Sequence, residues 1–507
     1  MPAPELALRH ITRRFGPVLA NDDVSLTLAS GEIHAIVGEN GAGKTTLMRV
    51  LCGLLPPDSG SIEVDGRATR FHGPADALRC GLGMVHQHFL LVDRMTAAEN
   101  VVLGREPGGA IGIFRHSAAN RAVRELAERV RLPVRADAPV RSLSVGEQQR
   151  VEILKALYHG ARVLVLDEPT AVLTPQEVDE LFAVLRRLKA DGATIVLITH
   201  KLAEVKALAE RVTVMRSGRV VGSGAAAKFS IEALAELMVG RPVPPLRARA
   251  AREPGPPQLQ VRDLVVLEDR GLEAVRSVNF EVRAGEIVGV AGVEGNGQQE
   301  LVEALAGLRG VARGQIVAGG APLRGAVREH AAAGIAHIPG DRLRRGLVAE
   351  MTLAENLALG RQNESPPARG PWLTPSALER AAAPLLEQFD VRPPLARLLA
   401  RQLSGGNQQK LVVARELTRG AAVLLAAHPT RGVDLGAVAA IHDKLLAQRD
   451  SGRAILLVSS ELTEILALSD RILVMHAGRI VHETRPAETD ERALGLYMAG
   501  KRDGAAA

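Results

Sequence analysis

The chain has 507 residues, of which 46% are hydrophobic and 2% are aromatic, and its formal net charge is +6. This length suffices for two domains of ordinary size, each with its own core. No apolar run approaches the roughly 20 residues that a membrane-spanning helix needs, and the N-terminus lacks the apolar region of a signal peptide. Two cysteines fit a reduced, cytosolic protein, and the shortage of aromatic residues argues against stacking on single-stranded nucleic acid.

Apolar, β-branched runs alternate with helical patterns along each half of the chain. Four runs in the first half predict buried parallel strands, at residues 32–37, 162–166, 194–198 and 211–215. Between the first and the second of these runs, residues 123–130 have the apolar spacing of an amphipathic helix. We therefore predict a doubly wound α/β core with a helical insert.

A glycine-rich motif follows the first predicted strand and precedes a helical run. Residues 38–45 read GENGAGKT and fit the phosphate-binding pattern G-x-x-x-x-G-K-[ST]. Backbone N–H groups of such a loop close around phosphate oxygens, Lys44 supplies a positive charge to them, and Thr45 offers its hydroxyl to Mg²⁺. The residues of this segment expected to bind ATP are Gly38, Asn40, Gly41, Gly43, Lys44, Thr45 and Thr46.

Two carboxylates end the second predicted strand, in the sequence RVLVLDEPT. Ligands bind at this end of the strands in such sheets, so Asp167 is expected to hold Mg²⁺ and Glu168 to deprotonate an attacking water. After the next strand, His200 lies where it can contact the γ-phosphate. We expect Lys44, Glu168 and His200 to be the catalytic residues of an ATPase.

The chain also repeats itself at a distance of 260 residues. LSVGEQQR at 143–150 returns as LSGGNQQK at 403–410, and RVTVMRSGRVV at 211–221 returns as RILVMHAGRIV at 471–481. A repeat this long indicates two copies of one domain. We predict domains at residues 4–240 and 259–501, joined by a Pro- and Arg-rich linker at 241–258.

The second copy has lost the chemical groups of the first. Aligning the two copies pairs each functional residue with a replacement: Lys44 with Gln298, Thr45 with Gln299, Gln87 with Gly340, Asp167 with Ala427, Glu168 with His428 and His200 with Ser460. A neutral amide does not replace an ammonium against phosphate charge, and an alanine binds no metal. The second site is expected to be hydrolytically silent.

The order and type of these motifs resemble an ABC-type ATPase domain, twice over and across nearly the whole chain. The resemblance implies a RecA-like α/β core in each domain, with a small antiparallel β part and a helical subdomain. It also implies that Gln87 links the Mg²⁺ site to a membrane partner and that Phe15 stacks on adenine. His86 and His88 flank Gln87, but without further ligands in the sequence they do not indicate a metal site.

ABC domains are understood to close head to tail, so that each signature motif completes the opposite phosphate site. The resemblance thus implies that the intact first loop pairs with LSGGNQQ of the second copy, and that one chain supplies both ATPase domains. The residues of the second copy that it assigns to ATP binding at that site are Ser404, Gly405, Gly406, Gln408 and Asp434. Of these, the Ser404 hydroxyl and the Gly405 and Gly406 backbone are implied to cap the γ-phosphate, and Asp434 to cross to the intact site. In the first copy, Thr174 stands where Asp434 stands in the second.

Within this family the chain resembles the ATP-binding subunits of bacterial importers for simple sugars and nucleosides. AGVEGNGQQEL and AAHPTRGVD are similar to the nucleoside branch, whereas ribose and galactose members usually keep an Asp-Glu pair in the second copy. Gly340 departs from the family, which often has an acidic residue there. The resemblance implies ATP-driven import of nucleosides, purine nucleosides in particular, with sugar import as the alternative.

The same resemblance implies two membrane-embedded permease subunits as partners, and an extracytoplasmic substrate-binding protein contacted indirectly. It places the chain peripherally on the cytoplasmic face of the inner membrane, with no nucleic acid partner. A competing class is the soluble tandem ABC protein that acts on ribosomes or nucleic acid. Those proteins normally keep both sites intact and have a long, charged helical linker, unlike the short Pro-rich stretch here.

Overall fold

The computed structural model describes residues 3–16, 18–87, 89–107, 114–171, 173–240, 253–361, 368–369, 372–433 and 435–501. The chain divides into two compact units, Met1–Val243 and Pro244–Ala507. Most of the predicted linker, residues 241–252, lies outside the described residues. Among the described helices, none is both long and apolar enough to cross a membrane.

The first unit contains an antiparallel and a mostly parallel sheet. Its described strands are β1 (Leu6–Phe15), β2 (Val18–Leu28), β3 (Ile33–Val37), β4 (Ser59–Val64), β5 (Arg67–Thr69), β6 (Leu82–Val85), β7 (Val163–Asp167), β8 (Thr194–Thr199), β9 (Arg211–Arg216) and β10 (Arg219–Ala225). The small sheet has the order β2-β1-β4-β5 and the large one β10-β9-β3-β8-β7-β6. The four strands predicted from sequence correspond to β3, β7, β8 and β9.

Helices cover the large sheet and form a separate helical part. They are α1 (Lys44–Leu51), α2 (Pro74–Arg79), α3 (Ala97–Val102), α4 (His116–Val130), α5 (Val145–Tyr158), α6 (Pro175–Ala190), α7 (Leu202–Leu208) and α8 (Ile231–Val239). Helices α3, α4 and α5 pack together as the predicted helical insert. Thr96, Ser144 and Thr174 begin α3, α5 and α6 with capping boxes, in which a Glu at the third helical position bonds back to the cap.

The second unit repeats this architecture. Its described strands are β11 (Pro257–Leu267), β12 (Glu273–Arg283), β13 (Ile287–Ala291), β14 (Arg313–Ala318), β15 (Ala321–Leu323), β16 (Ile335–Ile338), β17 (Ala368–Arg369), β18 (Trp372–Leu373), β19 (Val423–Ala427), β20 (Ala454–Ser459), β21 (Arg471–His476) and β22 (Arg479–Thr484). Its small sheet has the order β12-β11-β14-β15 and its large sheet β16-β19-β20-β13-β21-β22, while β17 and β18 pair as a separate hairpin.

The helices of the second unit follow the same order as those of the first. They are α9 (Gln298–Leu305), α10 (Val327–Ala332), α11 (Leu353–Ala358), α12 (Pro375–Gln388), α13 (Gly405–Leu417), α14 (Leu435–Asp450), α15 (Leu462–Leu468) and α16 (Glu491–Met498). A π-helical turn at Arg342–Gly346 lies between β16 and α11. The sheets and helices of both units confirm the predicted fold of two α/β domains with antiparallel and helical parts.

Register in the large sheet decides where the functional loops lie. Strands β3, β7 and β8 are buried along their whole length, as expected for parallel strands covered on both faces. Val37 of β3 lies opposite Thr199 of β8, and Asp167 of β7 lies opposite Ile198. The three strands therefore end at one edge, and the loops that follow them meet there.

The centre of β7 is a sensitive test of this core. Leu164 is fully buried in the hydrophobic cluster beneath the helical part, so we expect Leu164→Ala to lower the free energy of unfolding by about 2–5 kcal/mol. Leu90→Ala is the control, because 61% of Leu90 is exposed and its truncation is expected to cost less than about 0.5 kcal/mol. Urea unfolding followed by circular dichroism compares the two, and equal losses would contradict the assignment of the core.

Candidate nucleotide site

The glycine-rich loop connects β3 to α1 and depends on glycine for its shape. Gly43 has φ +96°, a conformation that side chains rarely adopt, and a Cβ there would collide with the Ala20 carbonyl oxygen. The Asn21 amide donates to the Gly43 carbonyl oxygen at 3.1 Å and fixes the loop against β2. Helix α1 begins at Lys44 with no side-chain cap. Its first N–H groups remain available to a phosphate.

Lys44 is folded into this loop. Its side chain is buried, and Nζ donates to the carbonyl oxygens of Gly38 at 2.7 Å and Glu39 at 3.0 Å. Burial lowers the pKa of Lys44 and outweighs the nearby carboxylates of Glu168, Asp167 and Glu39, which raise it. A desolvated ammonium held mainly by carbonyl oxygens gains further from an anion, so the loop is suited to phosphate.

Thr45 and Asp167 form a pair of oxygen donors below the loop. The Thr45 hydroxyl donates to Asp167 Oδ1 at 3.2 Å. Burial raises the pKa of Asp167 and the Glu168 carboxylate raises it further, whereas the bond from Thr45 and the charge of Lys44 lower it. Adjacent hydroxyl and carboxylate oxygens suit Mg²⁺, which usually takes one or two protein ligands and completes its shell with waters and phosphate. Among the described residues, no group of three His, Cys, Asp or Glu could hold a metal alone.

Glu168 is held between two side chains from neighbouring loops. The Gln87 amide donates to Oε2 at 2.9 Å, and Nδ1 of His200 lies 3.0 Å from Oε1. The backbone of Glu168 has φ +48°, which turns its side chain away from the line of the strand. Burial raises the pKa of Glu168, but His200, Lys44 and Lys201 together bring it below its usual value. Glu168 is therefore held in its ionised form.

Glu204 is a buried residue that supports this arrangement and was not singled out from sequence. It accepts from the hydroxyls of Thr199, at 2.9 Å, and Thr170, and thus ties together the loops that carry His200 and Glu168. The internal repeat could have identified Glu204, because the second copy also has a glutamate, Glu464, 260 residues later. Glu464 accepts from Thr430 at 2.8 Å in the second unit.

The remaining ATP-binding candidates of the first unit lie near the loop. Phe15 ends β1 with 43% of its surface exposed, and the Arg13 guanidinium carbon lies 5.1 Å from the ring centre. Asn40 is exposed on the loop, and Thr46 is half-buried in the first turn of α1. Their roles in binding adenine and phosphate stay predictions.

The second unit keeps the loop but lacks the ammonium and the hydroxyl. Gly297 has φ +98°, close to the value at Gly43, and begins α9 in the same way. Gln298 is buried where the first unit has Lys44, and its amide donates to the Val293 carbonyl oxygen at 3.1 Å. Gln299 donates to Glu303 at 3.1 Å instead of facing a metal ligand. The backbone cradle has been retained without the groups that neutralise phosphate.

In the second unit, side chains without negative charge stand where the first unit has the two carboxylates Asp167 and Glu168. Ala427 is buried at the end of β19, and His428 has φ +44°, the same backbone turn as Glu168. Burial and Arg431 lower the pKa of His428, although Glu294, Glu464 and Glu461 raise it. A Cβ on Gly340 would lie 3.1 Å from the His428 ring. The imidazole thus occupies the region that the Gln87 and Glu168 side chains share in the first unit.

The second signature motif, LSGGNQQ at residues 403–409, includes the N-terminus of helix α13. Ser404 is the exposed N-cap residue, and its hydroxyl accepts from the backbone N–H and the side-chain amide of Asn407. Gln408 is buried and donates to the Ala400 carbonyl oxygen at 3.1 Å. The Gly405 and Gly406 backbones form the first turn of the helix. Asp434 and His88 lie outside the described residues, so their expected roles stay predictions.

Comparison with known proteins identifies the family to which the chain belongs. The chain matches the ABC transporter family over residues 21–171 and 275–431, which together exceed half of its length. The chain therefore belongs to the ABC transporter family, and its two units are ABC ATPase domains. It is the ATPase subunit of an importer for nucleosides or sugars, as the following relatives indicate.

Relatives of known name cover nearly the whole chain. The nucleoside import ATP-binding protein NupA of Lactococcus lactis subsp. cremoris is 46% identical over 97% of this chain and 97% of its own. The guanosine import ATP-binding protein NupO of Bacillus subtilis is 45% identical over 98% and 97%. The glucose import ATP-binding protein TsgD13 of Haloferax volcanii is 44% identical over 99% and 97%. These identities are too close to separate nucleoside from sugar relatives.

One solved structure resembles the whole chain. The archaeal ribosome recycling factor aABCE1, crystallised with the ribosomal stalk protein aP1, has a TM-score of 0.61 over 98% of this chain and 96% of that chain. Its sequence is 19% identical, so the likeness concerns the fold alone.

Two substitutions separate binding from turnover at the first site. We expect Lys44→Ala to weaken ATP binding, because the ammonium inside the loop is lost. Glu168→Gln should bind ATP but hydrolyse it at least roughly 10²-fold more slowly, because it cannot accept a proton. Equilibrium dialysis and phosphate release measure the two effects. Gln298→Ala is the matched control in the second loop, and an equal loss of ATP binding there would contradict the proposed asymmetry.

His428, which follows strand β19 in the second unit, provides the complementary test. His428→Ala is expected to change ATP affinity and ATP turnover by less than about twofold, because Gln298 and Ala427 stand where the first unit has its lysine and its metal-binding carboxylate. Steady-state ATPase measurements on the full chain check this. A large loss of turnover in a variant that unfolds like the parent would show that the second site takes part in hydrolysis.

Proposed function

We propose that the chain energises import of nucleosides, with purine nucleosides as the preferred class, by hydrolysing ATP at one of its two sites. The observation that carries the proposal is the unequal pair of sites, in which the second loop reads GVEGNGQQ and the second strand end reads AAHPT. These replacements resemble the nucleoside branch of the family. NupA and NupO, whose names refer to nucleoside and guanosine import, are relatives at 46% and 45% identity.

The residues of the first site have separate tasks in the proposed reaction. Lys44 and the N–H groups of the loop and α1 bind the phosphates and neutralise their charge. Thr45 and Asp167, with Gln87 beside them, would hold Mg²⁺, which supplies charge stabilisation on the phosphate oxygens when bound. Glu168 accepts the proton of the attacking water, and His200 orients that carboxylate and reaches the γ-phosphate.

The complete site is proposed to need the second signature. The Ser404 hydroxyl and the Gly405 and Gly406 backbone would cap the γ-phosphate bound by the first loop, with Asp434 approaching the same site. ATP would then favour the closed arrangement of the two domains, and hydrolysis would release it. A ligand shifts such an equilibrium only through its different affinity for the two states. The γ-phosphate contacts supply that difference in this proposal.

The proposed partners are two membrane-embedded permease subunits, with the chain at the cytoplasmic face of the membrane. The segment after Gln87 exposes Leu90 and Val92, and the segment after Gly340 exposes Leu343, by 61%, 44% and 62%. Neighbouring apolar side chains at corresponding places of two domains are typical of protein contact sites. Glu168 bonds directly to Gln87, so a permease that moves this segment would act on the catalytic carboxylate.

Sugar import is the second candidate function. TsgD13, named for glucose import, is 44% identical to this chain, which is nearly the same value as for the nucleoside relatives. In this proposal the transported molecule contacts the permease and the substrate-binding protein and does not contact the ATPase subunit. A ribosomal role has less support, because the second site lacks its catalytic groups and the relatives named for import cover nearly the whole chain.

Uptake in cells decides between these functions. Cells that produce only the parent chain, or only its Glu168→Gln variant, are given labelled guanosine, adenosine and ribose. We expect Glu168→Gln to abolish nucleoside uptake and to leave ribose uptake unchanged. His428→Ala is the control and should transport like the parent. Loss of ribose uptake alone would assign the chain to sugar import, and unchanged uptake of all three would contradict the proposed substrate class.

A further inference from the structure

In the first unit, helix α5 holds the backbone of Leu90, a residue of the loop that follows β6. Glu152 Oε1 accepts from the Leu90 N–H at 2.6 Å, and Lys155 Nζ donates to the Leu90 carbonyl oxygen at 3.0 Å. The two side chains are three residues apart on the helix and therefore lie on one face of it. Glu152 and Lys155 thus form an anchor that uses both polar backbone groups of Leu90.

The carboxylate of this anchor is buried. Burial raises the pKa of Glu152, although the charge of Lys155 and the bond from Leu90 lower it. A charge removed from water costs stability unless partners compensate it, and an apolar residue often replaces a buried ion at no loss. Packing alone therefore does not explain a glutamate at this position of α5.

The Leu90 anchor lies close in sequence to a residue of the first site. Leu90 follows Gln87 by three positions, and the Gln87 amide donates to Glu168 at 2.9 Å. Three residues of chain span at most about 10–11 Å, so fixing Leu90 restricts where Gln87 can lie. Burial lowers the pKa of His86, and the charge of Lys155 is among those that lower it further. Helix α5 therefore lies beside the chain both before and after Gln87.

A second anchor of the same loop is present in both units. Asn100 is buried in α3, where its side chain accepts from the Val92 N–H at 2.7 Å and donates to the Val92 carbonyl oxygen at 3.1 Å. In the second unit, Asn356 of α11 makes the same two bonds with Val348, at 2.9 and 3.0 Å. The asparagine anchor therefore belongs to the fold of the domain and is independent of the catalytic groups.

The Leu90 anchor, by contrast, is replaced by an apolar contact in the second unit. Val412 stands 260 residues after Glu152. Gly346, two positions before the residue held by the asparagine anchor, lies against it, since a Cβ there would be 3.2 Å from the Val412 side chain. Arg415, at the position of the lysine, pairs with the next residue of its own helix. The anchor thus occurs in the unit that has the catalytic carboxylate.

We propose that Glu152 and Lys155 are positioning residues of the ATPase reaction, which keep the Gln87 amide on Glu168 by holding the backbone of Leu90. The inference rests on the proposed function, in which Glu168 accepts the proton of the attacking water. Among the described residues, Glu168 is bonded by Gln87 and His200, and the two anchor residues act on it only through Gln87. A displacement of about 1 Å at a catalytic group costs on the order of 10²-fold in rate.

Steady-state phosphate release by the full chain tests the proposal. Glu152→Val introduces the residue of the second unit and leaves the Leu90 N–H without its acceptor. We expect this variant to lower kcat for ATP hydrolysis by roughly tenfold, because the bond from Gln87 to a charged group is weakened. Glu152→Gln keeps an acceptor oxygen and should recover most of the turnover. Parental kcat in Glu152→Val would overturn the proposal.

A double-mutant cycle with Gln87→Ala separates positioning from a general loss of structure. Gln87→Ala alone should lower kcat, and adding Glu152→Val should lower it by less than about twofold more, because the residue through which Glu152 acts is gone. Lys155→Met should behave in the same way in the parent chain and in Gln87→Ala. Fully additive losses would show that the anchor does not act through Gln87, and would overturn the proposal.

Glu32→Gln is the matched control. Glu32 is also a buried carboxylate of the first unit, and its Oε1 accepts from the Ala29 N–H at 2.9 Å, but it precedes β3 at the end of that strand opposite to the site. Its substitution should leave kcat within about twofold of the parent. An unfolding midpoint equal to that of the parent shows that a variant is folded. If Glu152→Val fails to fold, the cycle of Lys155→Met with Gln87→Ala provides the test.

Glu168→Gln separates this inference from the proposed function beneath it. Parental turnover in Glu168→Gln would contradict the proposed function itself. Loss of turnover in Glu168→Gln, with parental turnover in Glu152→Val and Lys155→Met, would leave the proposed site standing and overturn the role of the Leu90 anchor alone. Loss in Glu168→Gln with parental turnover in Gln87→Ala would likewise overturn the link through Gln87.

Discussion

The in-register pairing of three buried parallel strands is the constraint on which the first site depends. Strands β3, β8 and β7 lie side by side, with Val37 opposite Thr199 and Asp167 opposite Ile198. Their apolar residues have no exposed alternative, so the register is strongly specified. The ends of these strands and the segments that follow them supply Lys44, Asp167, Glu168 and His200, and a shift of one residue would move each group away from the others.

Burial of charge is the cost of this arrangement, and neighbouring groups offset it. Desolvation works against the ionised forms of Lys44, Asp167 and Glu168, yet Glu168 keeps a lowered pKa because His200 and Lys44 lie beside it. Buried ions are tolerated when partners compensate them. A nucleotide bound together with a metal ion would bring both signs of charge to this edge, and an ammonium and two carboxylates would each find an opposite charge there.

The second unit shows which features belong to the fold and which to the chemistry. Gly297 and His428 keep the left-handed backbone of Gly43 and Glu168, and Glu464 still accepts from Thr430, so the loops hold their shape. The groups that would act on ATP are gone. Backbone turns and buried supports belong to the fold, whereas ammonium, hydroxyl and carboxylate groups are needed only to bind and hydrolyse ATP, so the two sets can diverge independently.

The sequence by itself determined the two-domain α/β fold and the family, and it predicted the residues of the first site, because periodic apolar strands and the motifs that contain Lys44 and Glu168 are local signals. Only the tertiary structure decided how side chains from distant segments meet. Glu204, between two loops, and Glu152, against the backbone of Leu90, are separated in sequence from the groups that they contact. Their roles depend on strand register and on the packing of helix α5, which no single-segment pattern encodes.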